Sequence, residues 1–197
     1  MLDLKKLVIA SGNKGKLREI GTLLATLEIE VIPQSEFNLS EIDEPYATFV
    51  ENALSKARYV SDRTGLPALA DDSGICVNAL KGAPGVFSAR YAGEPKSDQR
   101  NNLKLVEALK TSVDCSAYYY CVIVLLRHAE DPQPMIVDGI WHGEIIPEPR
   151  GSGGFGYDPY FLLPGLGKTA AELDMDTKNT ISHRGKALAK LIEVLRA

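Results

Sequence analysis

The stretch Tyr118-Tyr-Tyr-Cys-Val-Ile-Val-Leu-Leu126 carries no charge, glycine or proline, and most of its residues are aromatic or β-branched. Such a run belongs in a β-sheet, and a strand buried this thoroughly demands partners on the rest of the chain. Leu7-Val-Ile-Ala10 is a short continuous apolar run ending at the turn-forming trio Ser11-Gly12-Asn13. A helical pattern follows, with Leu17, Ile20, Leu24 and Leu27 spaced by three, four and three, and Glu30-Val-Ile32 supplies a second strand. The chain therefore opens as β-α-β. Met135 to Ile146 predicts one or two more strands, and Pro159 to Leu163 a short one.

The helices announce themselves by their caps. Thr48-Phe-Val-Glu51 has the form of a capping box, and the helix it starts runs through Ala53, Leu54, Ala57 and Val60 to Gly65, a natural C′ residue. Asp98 to Lys110 is helical with Leu103, Val106 and Leu109 as its buried stripe. Thr169-Ala-Ala-Glu172 is a second capping box that opens a short helix, and Ser182 a cap for a last helix with the stripe Leu188, Leu191, Ile192 and Leu195. Strands and helices without strict alternation predict a mixed sheet. With 197 residues, 45% of them hydrophobic, the expectation is a single domain over 1–197. Residues 33–45 are expected to be irregular and acidic, with Glu36, Glu41, Asp43 and Glu44.

Composition excludes several classes. The formal net charge of -4 argues against a nucleic-acid partner, which needs a basic stripe. No stretch approaches the roughly 20 apolar residues of a membrane span. The N-terminus Met1-Leu-Asp-Leu-Lys-Lys lacks the pattern of a signal peptide, and three cysteines without metal-type spacing suit reduced thiols. A soluble cytoplasmic protein without a membrane partner is expected.

The chemistry-bearing segments begin with Asp71-Asp72, next to each other in Ala68-Leu-Ala-Asp-Asp-Ser-Gly-Ile-Cys-Val77. Adjacent carboxylates repel, so their burial needs a compensating cation; Mg²⁺ is the usual one for oxygen ligands and usually works on phosphates. Asp-Asp-Ser-Gly is equally a good turn sequence, and the segment is expected at the tip of a β connection between two short strands. Ser11-Gly12-Asn13-Lys14-Gly15-Lys16 stands where a strand hands over to a helix, a place suited to phosphate or to an ordinary Asn cap. Its spacing differs from a Walker A loop. Gly151-Ser-Gly-Gly-Phe-Gly156 matches the dinucleotide fingerprint in letters only, because Tyr157-Asp158-Pro159 follows instead of a helix. Phe155 and Tyr157 beside glycines suit a stacked ring. Lys178, His183 and Arg184 are cations near a helix start, where helix stability does not explain them. Lys16 and Lys56 can neutralise phosphate oxygens, Lys56 lying one turn after Asn52 on the same helix face. His128 and His142 have no partner at metal-ligand spacing.

Ser11 to Lys16, Thr48-Phe-Val-Glu-Asn-Ala53, Ala70-Asp-Asp-Ser-Gly74, Gly82-Ala-Pro-Gly85 with Ser88-Ala-Arg-Tyr91, Gly153 to Pro159 and Ser182-His-Arg-Gly185 occur in that order. Together they closely resemble the non-canonical purine nucleoside triphosphate pyrophosphatases, the inosine and xanthosine triphosphatases. The resemblance implies an elongated, two-lobed α/β fold with a long mixed sheet flanked by helices, an active-site cleft between the lobes, and a homodimer. It implies Mg²⁺-dependent hydrolysis of ITP, dITP and XTP to the monophosphate and pyrophosphate. Ser11, Gly12, Asn13, Lys14, Gly15 and Lys16 carry over as the phosphate loop. Glu44 and Asp72 carry over as metal ligands, Asp72 also as proton acceptor. Ser73, Phe155, Gly156, Tyr157, Asp158, Lys178, His183 and Arg184 carry over as nucleotide contacts. Tyr46 departs from the small residue expected at its place. A non-catalytic nucleotide-binding module is the alternative, but it has no use for Glu44, Asp71 and Asp72 beside a phosphate loop.

Overall fold

In the computed structural model, residues 4–25, 27–40 and 42–196 are described. Glu41 of the acidic segment and Met1 to Asp3 lie outside them.

The opening is as the pattern predicts. Strand β1 (Lys6–Ile9) leads into helix α1 (Lys14–Leu24), and β2 (Glu30–Pro33) returns parallel to β1 with Leu7 opposite Val31. Ile20 and Leu24 are fully buried, while Leu17 and Leu27 pack partly buried against the same core. A 3₁₀ turn over Gln34–Phe37 occupies part of the segment expected to be irregular. Helix α2 (Phe49–Thr64) starts at Thr48, whose Oγ1 accepts from the Glu51 N–H and donates to the Glu51 carboxylate, and it ends at Gly65 with φ +67°. That left-handed terminus is why a glycine stands there.

Strand β3 (Ala68–Val77) corrects the sequence reading. Asp71 to Gly74 is no turn; it is the middle of one ten-residue strand, parallel to β1 through Val8–Ala68 and Ile9–Leu69. Long-range pairing overrides the local turn chemistry of Asp-Asp-Ser-Gly. Successive strand side chains point to opposite faces, so the two aspartates are delivered to different surroundings.

Helix α3 (Asp98–Leu109) is also corrected in its stripe: Leu105 and Leu109 are buried with Asn101 and Asn102, whereas Leu103 is exposed. The asparagines hold loop backbone, Asn101 on Ala89 and Ala92 and Asn102 on Gly156. Strands β4 (Ser116–Leu126) and β5 (Met135–Ile145) follow, then β6 (Phe161–Leu163) after a 3₁₀ turn at Asp158–Tyr160, and β7 (Lys168–Thr169). Thr169 and Glu172 form the expected capping box, on a 3₁₀ turn. The short helix expected after that box, α4 (Met175–Ile181), starts a few residues later; Ser182 closes it and directly precedes α5 (His183–Arg196).

The strands form one mixed sheet in the order β2-β1-β3-β4-β5-β6-β7. The chain divides into two compact units, one of residues 1–72, 121–139 and 184–197, the other of residues 73–120 and 140–183. Each has its own core. The first gathers Leu7, Ile9, Ile20, Leu69, Ile123, Leu125 and Leu188; the second gathers Ile75, Val77, Leu105, Tyr119, Trp141 and Phe161. Among the described residues, no helix is long and apolar enough to cross a membrane.

Candidate active site

In the first unit, the turn after β1 places Asn13 as the cap of α1, its Oδ1 accepting from the N–H groups of Gly15 and Lys16 at 2.9 and 3.2 Å. The Asn13 N–H donates to Ser11 Oγ. Lys16, in the first turn, reaches back to β3 and meets Asp71 Oδ2 at 2.9 Å. Arg184, at the start of α5, donates to the same Asp71 oxygen through Nε and Nη2 and to Glu19 of α1 through Nη1. Asp71 and Arg184 are each 1% exposed. Lys16, Asp71, Arg184 and Glu19 thus form a buried chain of alternating charge.

On the other side of the strand, Asp72 faces α2. Asn52 Nδ2 donates to Asp72 Oδ2 at 3.2 Å, and Lys56 Nζ stands 3.9 Å from Asp72 Oδ1 and 2.5 Å from Glu44 Oε1. The consequence for protonation is opposite at the two neighbours. Burial pushes both upward, since it penalises the charged form. At Asp71 the cations Lys16, Arg184 and Lys56 overwhelm burial and hold the carboxyl far below its ordinary value. At Asp72 burial prevails over Lys56, with Glu44 and Asp71 adding repulsion, and the carboxyl is raised to about 6. Lys56 itself is raised, because Asp72, Glu44 and Asp71 outweigh its burial. The two neighbours on one strand are therefore pushed in opposite directions, Asp71 toward the ionised form and Asp72 toward the protonated one.

The second unit holds an aromatic cluster around Asp158, which is 3% exposed. Its Oδ2 accepts from Lys178 Nζ at 2.7 Å and from the Phe155 N–H at 2.8 Å, and its Oδ1 from Tyr119 Oη at 3.3 Å. Gly154 has φ +70°, and a Cβ there would lie 2.1 Å from Asp158 Oδ2, so only glycine lets the loop close over this carboxylate. Lys178 Nζ sits 4.9 Å from the Phe155 ring centroid, a cation–π distance. His183 stacks on Tyr119, centroids 4.7 Å apart and planes 8° from parallel. Gly156 is gripped by Asp98 at its N–H and Asn102 at its C=O, and Tyr157 Oη donates to the Ser88 carbonyl. Phe155 stays 37% exposed.

The sequence pattern of the Ham1 family matches residues 7–194 of this chain. The chain belongs to the Ham1 family. A dITP/XTP pyrophosphatase of Nitrosomonas europaea is 69% identical over 98% of the chain and 95% of its own length, and one of Chromobacterium violaceum is 62% identical over 98% of each. Among solved structures, a HAM1 protein from Coxiella burnetii superposes with a TM-score of 0.93 at 52% identity, covering 98% of this chain and 99% of its own. The Staphylococcus aureus Ham1 protein gives 0.87 at 39% identity, with 98% of each covered.

Most of the residues expected in this Ham1 site fall into the two clusters. Lys16, Lys56, Glu44 and Asp72 come together in the first unit, and Phe155, Gly156, Asp158, Lys178 and His183 in the second. Gly12, Asn13 and Lys14 are exposed at the start of α1, Ser11 and Gly15 half-buried there, and Ser73 half-buried on β3. Arg184 directs its guanidinium to Asp71 and Glu19. The Asp158 oxygens accept from Lys178, Phe155 and Tyr119. Glu19, Asn52, Tyr119, Asp98 and Asn102 were missed. Glu19 lies three residues after Lys16 on the same helix side, the one local signal available; the others act across long sequence separations.

Glu44, Asp71 and Asp72 are not equally placed to hold a metal ion. Among the described residues no three acidic, histidine or cysteine side chains gather to hold a metal ion. Asp71 is matched by cations, which leaves the pair Glu44 and Asp72. That donor set fits Mg²⁺, which is commonly held by one or two carboxylates together with substrate phosphates and water. The Lys56 ammonium between them is itself a sign that this carboxylate pair calls for positive charge.

Proposed function

We propose that this chain hydrolyses the α–β phosphoanhydride of dITP, ITP and XTP, releasing the monophosphate and pyrophosphate and so removing deaminated purines from the nucleotide pool. The observation that carries the reading is the geometry of the aspartate pair: Lys16 and Arg184 both close on Asp71, while Asp72 stands 3.9 Å from Lys56, which also contacts Glu44. The names of the close relatives point to dITP and XTP.

In this reading the N-terminal turn of α1 and Lys16 receive phosphate oxygens, and Asp71 with Arg184 holds Lys16 in place. Glu44 and Asp72 would hold Mg²⁺, which would supply charge neutralisation for the phosphates. Asp72 takes a proton from the attacking water; the water oxygen bonds to phosphorus, the bridging P–O bond breaks, and pyrophosphate leaves. Phe155 offers a stacking face for the purine, and Lys178 a donor for its 6-oxo group. Adenine carries a 6-amino donor there, so ATP meets donor with donor, a mismatch of the kind that sites built on hydrogen bonds reject strongly. The protein works in the cytoplasm as a homodimer; the exposed Phe87, on the 3₁₀ turn Gly85–Arg90, suits a partner surface.

The test is incubation with ITP and Mg²⁺. Equimolar IMP and pyrophosphate are expected. Release of single phosphate, or equal turnover of ATP, would overturn the reading.

A further inference from the structure

Asn52 stands in the second turn of α2 and is 1% exposed. Asparagine is a poor helix former, and a buried carboxamide is costly unless its hydrogen bonds are met. Helix stability therefore does not explain it; its partners do. Oδ1 accepts from the Tyr46 N–H at 3.0 Å, and Nδ2 donates to the Tyr46 carbonyl at 3.2 Å and to Asp72 Oδ2 at 3.2 Å. The amide has only one workable orientation. Flipped, Oδ1 would face Asp72 Oδ2 acceptor to acceptor, and the Tyr46 N–H would face a donor.

One side chain thus holds both polar groups of a residue two positions after Glu44 and one carboxylate oxygen of Asp72. Lys56, one turn later, faces the other oxygen of Asp72 and contacts Glu44. The division of labour is chemical. Lys56 brings charge, which metal or phosphate can compete with. Asn52 brings none, so it orients Asp72 without neutralising it.

We infer that Asn52 is a positioning residue that sets the spacing of Glu44 and Asp72 for a divalent cation, by clamping the Tyr46 peptide and the Asp72 carboxylate on one carboxamide. The inference rests on the reading of Glu44 and Asp72 as the cation's ligands. Partners of this kind, one step behind the ligands, typically govern metal affinity by about 10–100-fold.

The experiment uses Asn52→Asp and Asn52→Leu on the full chain. Asn52→Asp keeps the size and the acceptor for the Tyr46 N–H but sets a carboxylate against Asp72; Asn52→Leu removes every bond. Mn²⁺ is titrated into enzyme holding the non-hydrolysable α,β-methylene-ITP, and the free-ion electron paramagnetic resonance signal is followed. Binding of the same nucleotide without metal is measured alongside. Mn²⁺ affinity is expected to fall at least about tenfold in both variants. Nucleotide affinity without metal should change less than about threefold, because the base-side and Lys16 contacts are untouched. A variant that fails to fold is replaced by Asn52→Ser, which keeps a short donor and should recover part of the Mn²⁺ affinity. Unchanged Mn²⁺ affinity in the variants, or an equal fall in metal-free nucleotide binding, overturns the inference. Asp72→Asn run in parallel separates the two levels. If it binds Mn²⁺ as wild type does, the ligand reading fails; if it loses Mn²⁺ while the Asn52 variants keep it, only the role of Asn52 fails.

Discussion

The cluster at Asp71 and Asp72 and the cluster at Asp158 both bury carboxylates, and they compensate them by different means. Asp158 is answered by one lysine, a backbone N–H and a phenol, within a wall of aromatic rings. Asp71 is answered by two cations, and Asp72 by less than it needs. A carboxylate whose charge is matched by cations holds structure in place. One whose charge remains partly unmatched can take up a proton or a metal ion. The first unit contains both kinds on neighbouring residues, and the second contains the structural kind at Asp158.

The contrast breaks most sharply at Asp72. Asp72→Asn preserves volume and removes the proton acceptor, and kcat should fall by about 10²–10⁴-fold while the melting transition stays near wild type. A variant retaining a third of wild-type kcat would move the base elsewhere. Arg184→Ala should act on stability instead. It strands Asp71 and Glu19, and breaking a buried pair in this way costs about 3–5 kcal/mol, read by denaturant unfolding. The ITP-to-ATP ratio of kcat/KM should survive. A narrowed ratio with unchanged stability would return Arg184 to base recognition.

Phe155→Ala probes the second unit. Losing a stacking face costs about 1–3 kcal/mol per base, so KM for ITP should rise while kcat changes little. An unchanged KM would leave Phe155 as ordinary packing.

A pH series sharpens the comparison further. Asp72 must lose its proton to act, so at limiting metal kcat/KM should fall about tenfold per pH unit below about 6. Added Mg²⁺ favours the carboxylate and should move that limb to lower pH. Stability moves oppositely for the two neighbours. Folded Asp72 holds its proton more tightly than the ordinary value of 3.8, so its ionisation weakens the fold as pH rises from about 4 to about 6. Asp71 stabilises the fold above 3.8 and loses that contribution on acidification through its depressed folded value. An acid limb insensitive to Mg²⁺ would separate the titrating group from the metal site. The smallest effect is expected for Tyr119→Phe, which removes one hydrogen bond to Asp158 while keeping the ring stacked on His183. A loss of about 0.5–1.5 kcal/mol in stability is expected, with kcat unchanged. A large loss of kcat would give the phenol a chemical role.

Periodicity and capping chemistry are local, and they placed β1, α1, β2, α2 and β4 within a few residues. The same local signals led to Leu103 as a core residue of α3 and to a turn at Asp71 to Gly74. Leu103 is exposed because the α3 face carrying Asn101 and Asn102 is taken by loop backbone from Ala89, Ala92 and Gly156, contacts distant in sequence. The Asp pair lies in mid-strand because β1 claims the residues just before it.

The sequence by itself determined most of the elements, the order of the motifs, the family they mark and the residue types of the site. Only the tertiary structure gave the two aspartates different surroundings. Alternation along a strand separates neighbours onto two faces. What waits at each face, Lys16 and Arg184 at one and Asn52 and Lys56 at the other, comes from helices up to 113 residues away. A carboxylate's charge state follows from burial and from those partners, and neither is a property of the residue alone.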